Sequence, residues 1–340
     1  MKAVQIIGPN HLEIIETEKP AMDEKNNVLI KMTAAGICGS DIGIYHGTNA
    51  VVTYPRIIGH EMVGRVEAVG AGVRNLKPGD RVIVNQVTSC GVCYPCRKGR
   101  GNVCDHLAVR GVHIDGGCRE YIAVPECDCY LLPDCISDKD AVMIEPATIG
   151  IQSCTRAELE QGDMLLLYGF GVLGSSIFRI ARQICDHIIV ADIVNEKLEE
   201  AKKAGAKHTI NVREENFQEK VLEYTYGRGA TVSIDAACVK NSLLSLLQAT
   251  GNAGRVVTMG FSTEAAEINP FLITSKELDV RGSRLQNNMF GKAIQMLQEG
   301  QLDLSGSVSH TFPFTKAQEA FDFVDTKDSA IRKIVLTFDF

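Results

Sequence analysis

Four cysteines stand at positions 90, 93, 96 and 104, in the stretch CGVCYPCRKGRGNVC. The intervals hold two, two and seven residues, with glycines and a proline that let the segment fold back on itself. Four thiolates in such a loop can enclose one Zn(II) tetrahedrally and leave no coordination position open. A closed site of this kind stabilises a loop with little hydrophobic content of its own. Disulfides, redox chemistry, an iron–sulfur centre and four ordinary thiols are the other readings of the spacing. Cys118, Cys127, Cys129 and Cys135 lack comparable spacing and read as packing residues.

A second set is dispersed. GICGSD supplies Cys38, Ser40 and Asp41; GHE supplies His60 and Glu61; IEP supplies Glu145. A thiolate, an imidazole and one or two carboxylates make a catalytic zinc shell that leaves room for water or substrate. In a regular strand His60 and Glu61 face opposite ways. Gly59 permits a bend that turns both inward; otherwise Glu61 supports the shell from outside. The bland alternative is a satisfied core histidine with surface carboxylates.

A third motif is YGFGVLG, Tyr168 to Gly174, directly after the apolar run MLLL. Gly169 suits a tight turn, Gly171 the approach of backbone to a pyrophosphate, and Gly174 close packing of a helix. Phe170, Val172 and Leu173 complete the loop, and the helix that follows offers unpaired N–H groups to phosphate. Asp192 ends the next apolar run, HIIVAD, where a carboxylate can accept hydrogen bonds from a ribose diol. It repels a 2′-phosphate, and Ile193 brings no positive charge, so NAD is favoured over NADP. A tight turn in a domain that binds no cofactor is the competing reading.

These motifs need two kinds of scaffold. VLIKM near Val28, VGRVEAVG near Val63 and DRVIVNQV after the turn at Leu76–Asp80 predict strands in a first half dense in Gly and Pro. Such a pattern fits a small barrel or packed antiparallel sheets. The pattern changes near residue 147. MLLLYG, HIIVAD, TVSIDAA and GRVVTMG predict strands. Helical patterns alternate with them over 172–184, from Asn195 to Gly205, and near 216–225 and 240–248. Alternation of this kind predicts a parallel sheet. LDVRGS supplies a last strand, and the chain after Ser283 packs elsewhere, back on the first domain.

Bulk properties bound the answer. A chain of 340 residues fits two domains. The net charge of -7, with no basic block, argues against a nucleic-acid surface. MKAVQIIGPNHLEIIE does not read as a secretion signal, and no stretch is apolar enough to span a bilayer. Cytoplasm is the expected location, where twelve cysteines favour thiols and metal ligands over disulfides.

In order along the chain, GICGSD, GHE, KPGDRV, the four-cysteine loop, GGCREY, IEP and YGFGVLG resemble the motifs of the zinc-dependent medium-chain alcohol and polyol dehydrogenases. The resemblance covers essentially the whole chain. It implies an α/β protein with a GroES-like, β-rich catalytic domain over 1–147 and 285–340. It implies a Rossmann parallel-sheet domain over 148–284, with substrate in the cleft between the two. It implies NAD and two zinc ions per chain, a catalytic ion on Cys38, His60 and Glu61 or Glu145, and a structural ion on Cys90, Cys93, Cys96 and Cys104. Ser40 is then suited to carry the alcohol proton outward, while Asp41 is a local hydrogen-bond acceptor. The expected reaction is reversible oxidation of a secondary alcohol.

Lys333, in IRKIVL, lies in a closing motif similar to the family's GKVVL, with Arg332 in place of glycine. GGCREY carries Cys118 and Arg119 where the family has an aromatic and a small residue. Among subgroups, GVHIDGG, IEPATIG and GSRL are most similar to L-galactonate and L-gulonate 5-dehydrogenases and a starvation-sensing dehydrogenase-like protein. On that resemblance Arg284 is a candidate carboxylate clamp and His113 a candidate contact for substrate hydroxyls. Domain-junction pairing and a backbone hydrogen bond are their plainer roles. A sorbitol-like polyol dehydrogenase and a non-catalytic NAD-binding sensor are the rival functions. The resemblance also implies a homodimer or homotetramer, and no motif indicates a membrane.

Overall fold

VLIKMTAAGI forms a strand, Val28–Ile37, buried along almost its whole length, which accounts for its nearly continuous apolar run. In the computed structural model, which describes residues 1–340 apart from 26, 262–264, 327, 329 and 339–340, this strand is the axis of the first unit. On one side it pairs antiparallel with Glu61–Val69, followed by Arg81–Val84 and Cys129–Leu131. On the other it pairs with Lys333–Thr337, itself parallel to Val308–Pro313. Tyr121–Val124 also pairs on it. A small sheet holds Lys2–Gly8 between His11–Glu16 and Arg56–Ile57.

The run DRVIVNQV is not one strand. It breaks at Asn85 and Gln86 into Arg81–Val84 and the short Val87–Thr88, which pairs with Ala108–Val109. The break comes where the Asn85 side chain accepts the Val87 N–H at 2.9 Å, a local bond that competes with the ladder.

The chain divides into two compact units, Met1–Glu145 with Phe290–Phe340, and Pro146–Met289. The second is a parallel sheet. Its strand order is His208–Asn211, His187–Asp192, Met164–Tyr168, Ala230–Asp235, Thr250–Thr258, Asp279–Gly282. The order runs one way from Met164–Tyr168 and then reverses through Ala230–Asp235. The crevice at that switch point is where open α/β sheets bind ligands.

Leu166, Ile189, Ile210 and Val256 from the strands meet Val221 and Leu246 from helices Phe217–Tyr224 and Ser242–Ala249 in one buried cluster. Full burial of each such side chain stabilises the fold by about 1.5–3 kcal/mol. The sequence pattern did not mark the strand His208–Asn211 or the helix Ile144–Ala157, which carries Glu145 in its first turn. A four-residue strand is too short for period-2 alternation to register, and the helix buries Glu145, Thr148, Gln152 and Ser153 along with its apolar residues, which hides its period. Among the described residues no helix is long and apolar enough to cross a membrane.

Candidate metal centres and dinucleotide loop

The first centre is built where two strands end. The register sets Gly36 opposite Glu61, so the next residues of the two strands bring Cys38 beside His60. Cys38 has extended backbone angles and caps helix Gly39–Tyr45. The Asp41 Oδ2 atom accepts the Cys38 N–H at 2.9 Å and closes the cap from inside the first turn. Gly59 lies in the left-handed region at φ +98° and makes the bend before His60.

As a result one ligand atom each from Cys38, His60 and Glu61 lie within 4.8 Å of one another. Both members of the His60–Glu61 pair face inward. Glu145 lies outside that group of three, although it belongs to the same charged neighbourhood.

The electrostatics of this centre are unusual for a buried site. His60 and Glu61 are almost wholly buried, and His60 Nδ1, Glu61 Oε2 and Asp41 Oδ1 have no hydrogen-bond partner among the described residues. Asp41 Oδ1 stands 3.5 Å from His60 Nδ1, and Ser40 Oγ lies 3.3 Å from His60 Nε2. Burial alone lowers the His60 pKa, but the negative Asp41 and Cys38 beside it outweigh that and push it well above the ordinary value. Lys333 Nζ reaches Glu61 Oε1 at 2.5 Å and also donates to the Ile37 carbonyl at 3.2 Å. For Lys333, too, burial lowers the pKa, and Glu61 together with Cys38 and Glu145 more than reverses it. Burial, reinforced by Glu61 and Asp41 against the opposing His60 and Lys333, raises the Glu145 pKa to about 7. A convergent thiol, imidazole and carboxylate with orphaned buried polar atoms fit a divalent cation.

The second centre is the cysteine loop. Cys90, Cys93, Cys96 and Cys104 place their sulfurs within 4.8 Å of one another, and none is in a disulfide. The Cys93 and Cys104 sulfurs are 3.6 Å apart. A tetrahedral ion with Zn–S bonds of ~2.3 Å requires sulfurs ~3.8 Å apart. The backbone N–H groups of Cys90 and His106 both point at the Cys104 sulfur, at 3.3 Å each. Backbone N–H groups of Val92 and Cys93 lower the Cys90 pKa to about 6, whereas desolvation and the neighbouring sulfurs Cys93 and Cys104 raise Cys96 to about 12. The loop fits a thiolate-bound zinc with no site for substrate.

The dinucleotide motif lies at the switch point of the parallel sheet. Gly171 caps helix Val172–Ala181, and nothing lies within 4 Å in the direction a side chain there would take. At Gly174 a Cβ would fall 2.0 Å from the Gly169 carbonyl oxygen, so only glycine allows the helix this close to the loop. Asp192 is buried and engaged: its Oδ2 accepts the Phe170 N–H at 2.6 Å, and its Oδ1 accepts those of Ile193 and Val194 at 2.7 and 3.0 Å. The residue therefore fixes the loop as well as presenting a carboxylate at the strand end.

Comparison with known proteins agrees with this architecture. Residues 24–134 match the alcohol dehydrogenase GroES-like domain, and residues 172–299 match the zinc-binding dehydrogenase domain. The starvation-sensing protein RspB of Escherichia coli K12 is 40% identical over 99% of both chains. The chain belongs to the zinc-type medium-chain alcohol dehydrogenases. It is an oxidoreductase of CH–OH donors with a GroES-like domain and a Rossmann-type parallel sheet.

Sorbitol dehydrogenase of Bacillus subtilis is 33% identical over 95% of this chain and 93% of that one. Among solved structures, the rspB alcohol dehydrogenase of E. coli CFT073, complexed with NADH, superposes with a TM-score of 0.94 at 40% identity, covering 99% of each chain. L-Idonate 5-dehydrogenase of E. coli K-12 superposes at 0.89 with 26% identity, covering 99% of this chain and 98% of that one.

The remaining candidates of this dehydrogenase fall as follows. His113 is half-buried, and its Nδ1 faces the Val109 N–H at 3.2 Å, which fixes Nδ1 as acceptor and puts the ring proton on Nε2. Arg284 lies in the second unit with its guanidinium 5.6 Å from the centre of the Phe261 ring. Cys118 is buried, with its sulfur against Gly59. Two contacts went unread in the sequence. The Glu61–Lys333 pair joins positions 272 residues apart. Gln86, wholly buried, donates from its amide nitrogen to Glu145 Oε1. Neither has a spacing signal, because each joins segments far apart in the chain that only the fold brings together.

Proposed function

We propose that this dehydrogenase oxidises a secondary hydroxyl of a sugar acid to a keto acid, with NAD as acceptor. An L-hexonate such as L-gulonate or L-galactonate is the intended substrate. The observation that carries the redox reading is the presence in one chain of two distinct ligand sets, one closed and one open, together with a dinucleotide loop ending in an acidic strand terminus. The NADH complex of the rspB relative and the likeness to L-idonate 5-dehydrogenase support the cofactor and the substrate class.

Cys38, His60 and Glu61 hold the catalytic zinc, with Glu145 as an exchanging or outlying carboxylate. Cys90, Cys93, Cys96 and Cys104 hold the structural zinc. When bound, zinc supplies a Lewis acid that eases loss of the alcohol proton, and NAD supplies the hydride acceptor. The loop from Gly169 through Phe170, Gly171, Val172 and Leu173 to Gly174 binds the pyrophosphate, and Asp192 takes the ribose diol. The Ser40 hydroxyl, 3.3 Å from His60, takes the proton leaving the alcohol and passes it outward. With its proton on Nε2, His113 donates to a substrate hydroxyl. Arg284 grips the carboxylate with its planar fork, its face set against Phe261. The enzyme works as a cytoplasmic homodimer or homotetramer.

A neutral polyol is the second reading, favoured by the likeness to sorbitol dehydrogenase. The deciding experiment supplies zinc-replete protein with NAD and a panel of stereochemically defined hexonates, pentonates and polyols. NADH absorbance is followed and the ketone located in the product. Preference for hexonates, lost as affinity in Arg284→Ala while zinc and NAD still bind, is the expected result. Preference for polyols replaces the acid reading. NAD binding with no turnover across the panel removes the proposed activity.

A further inference from the structure

The Gln86 side chain is wholly buried, which is costly for an amide unless its partners are fixed. Its nitrogen donates to Glu145 Oε1, while its oxygen has no partner among the described residues. The backbone that carries it is clamped from several sides. The Asn85 N–H donates to the Asp128 carbonyl at 2.7 Å, and the Arg110 N–H donates to the Gln86 carbonyl at 2.9 Å. Arg110 Nη1 donates to the Asn85 carbonyl at 3.0 Å, and its Nη2 pairs with Asp128 Oδ2 at 2.8 Å. The Asn85–Val87 turn noted above completes the cage. On a backbone held this firmly, the buried amide that donates to Glu145 acts as a post.

What the post holds is one of three carboxylates near Cys38 and His60, of which Asp41 caps the Cys38 helix. Glu61 is tethered by Lys333, and Glu145 by Gln86. With one oxygen committed to the amide, the orientation of the Glu145 carboxylate is set by Gln86.

We infer that Gln86 is a positioning residue for the catalytic metal centre, acting through Glu145. This rests on the reading of Cys38, His60 and Glu61 as a zinc site with Glu145 as its exchanging carboxylate. Partners that orient a ligating carboxylate in this way are worth about 10- to 100-fold in metal affinity.

The test measures zinc affinity by chelator competition and the absorption spectrum of the cobalt-substituted protein, for wild type, Gln86→Met, Glu145→Ala and the double variant. Gln86→Met keeps the length and removes the donor; Gln86→Leu also removes it and serves if methionine does not fold. Retention of zinc in the four-cysteine loop reports an intact chain. The expected result is a second zinc whose affinity falls 10- to 100-fold on Gln86→Met, with a changed cobalt spectrum. In the Glu145→Ala background the same substitution has no further effect. A wild-type chain that binds only the four-cysteine zinc overturns the metal-site reading itself. Two zinc ions with affinity unchanged in Gln86→Met, or an equal loss in both backgrounds, overturn the role of Gln86 alone.

Discussion

Replacing Lys333 by methionine isolates the most consequential buried contact in the first unit. Lys333 is 2% exposed, the Glu61 side chain is wholly buried, and their charged atoms are 2.5 Å apart. At that separation the attraction is about 7 kcal/mol for an effective dielectric constant of about 20. Removing both charges from water costs a comparable amount, so the pair as a whole is nearly neutral for stability. Breaking it is not neutral. Methionine fills the space but leaves Glu61 buried beside Glu145 and Asp41, with His60, already engaged by Asp41 and Cys38, as its remaining cationic neighbour, which costs roughly 3–5 kcal/mol. For a unit of about 200 residues each kcal/mol moves Tm by about 2–4 °C, so the expected fall is about 6–20 °C.

Calorimetry on chelator-treated protein is the assay. With zinc restored the fall is smaller, because the cation takes over the compensation of Glu61. Adding Glu61→Gln to Lys333→Met in the metal-free protein recovers most of the loss. A drop of under about 2 °C in the metal-free single variant refutes the claim that Glu61 is held as a buried anion by this lysine.

Three other outcomes are expected. Asp192→Asn removes a charged acceptor from three backbone N–H groups and, on the proposed reading, from the ribose diol, and is expected to weaken NAD binding by about 10- to 100-fold in titration calorimetry, since hydrogen bonds to charged groups are worth about 1.5–3 kcal/mol. Burial first, then Lys207, holds the His187 and His208 pKa values below normal, so below about pH 6.5 the unfolded chain binds more protons than the folded one. Stability of the second unit therefore falls as pH drops through that window, and His187→Gln with His208→Gln flattens the dependence of Tm on pH. Strand Asp279–Gly282 ends its sheet with Val280 40% exposed, an edge suited to pairing with a second copy. Val280→Lys is expected to shift sedimentation toward monomer while both zinc ions remain; an unchanged mass assigns self-association to another surface.

Features that spacing encodes were legible from the residues alone. The four cysteines lie within one short loop, so closure of their cluster needs only local turns. The glycines of YGFGVLG act within one strand–helix junction, and Asp192 ends the next strand along. Alternating strand and helix patterns sufficed for the parallel sheet. Tertiary structure decided what register and long-range packing set. It put His60 and Glu61 on the same side through the bend at Gly59. It grouped Glu61, and not Glu145, with Cys38 and His60, and it tied the two carboxylates to Lys333 and Gln86. Those choices depend on which strands lie side by side and on how far burial separates charge from water. A linear pattern carries neither quantity, because both arise only once distant segments share one core.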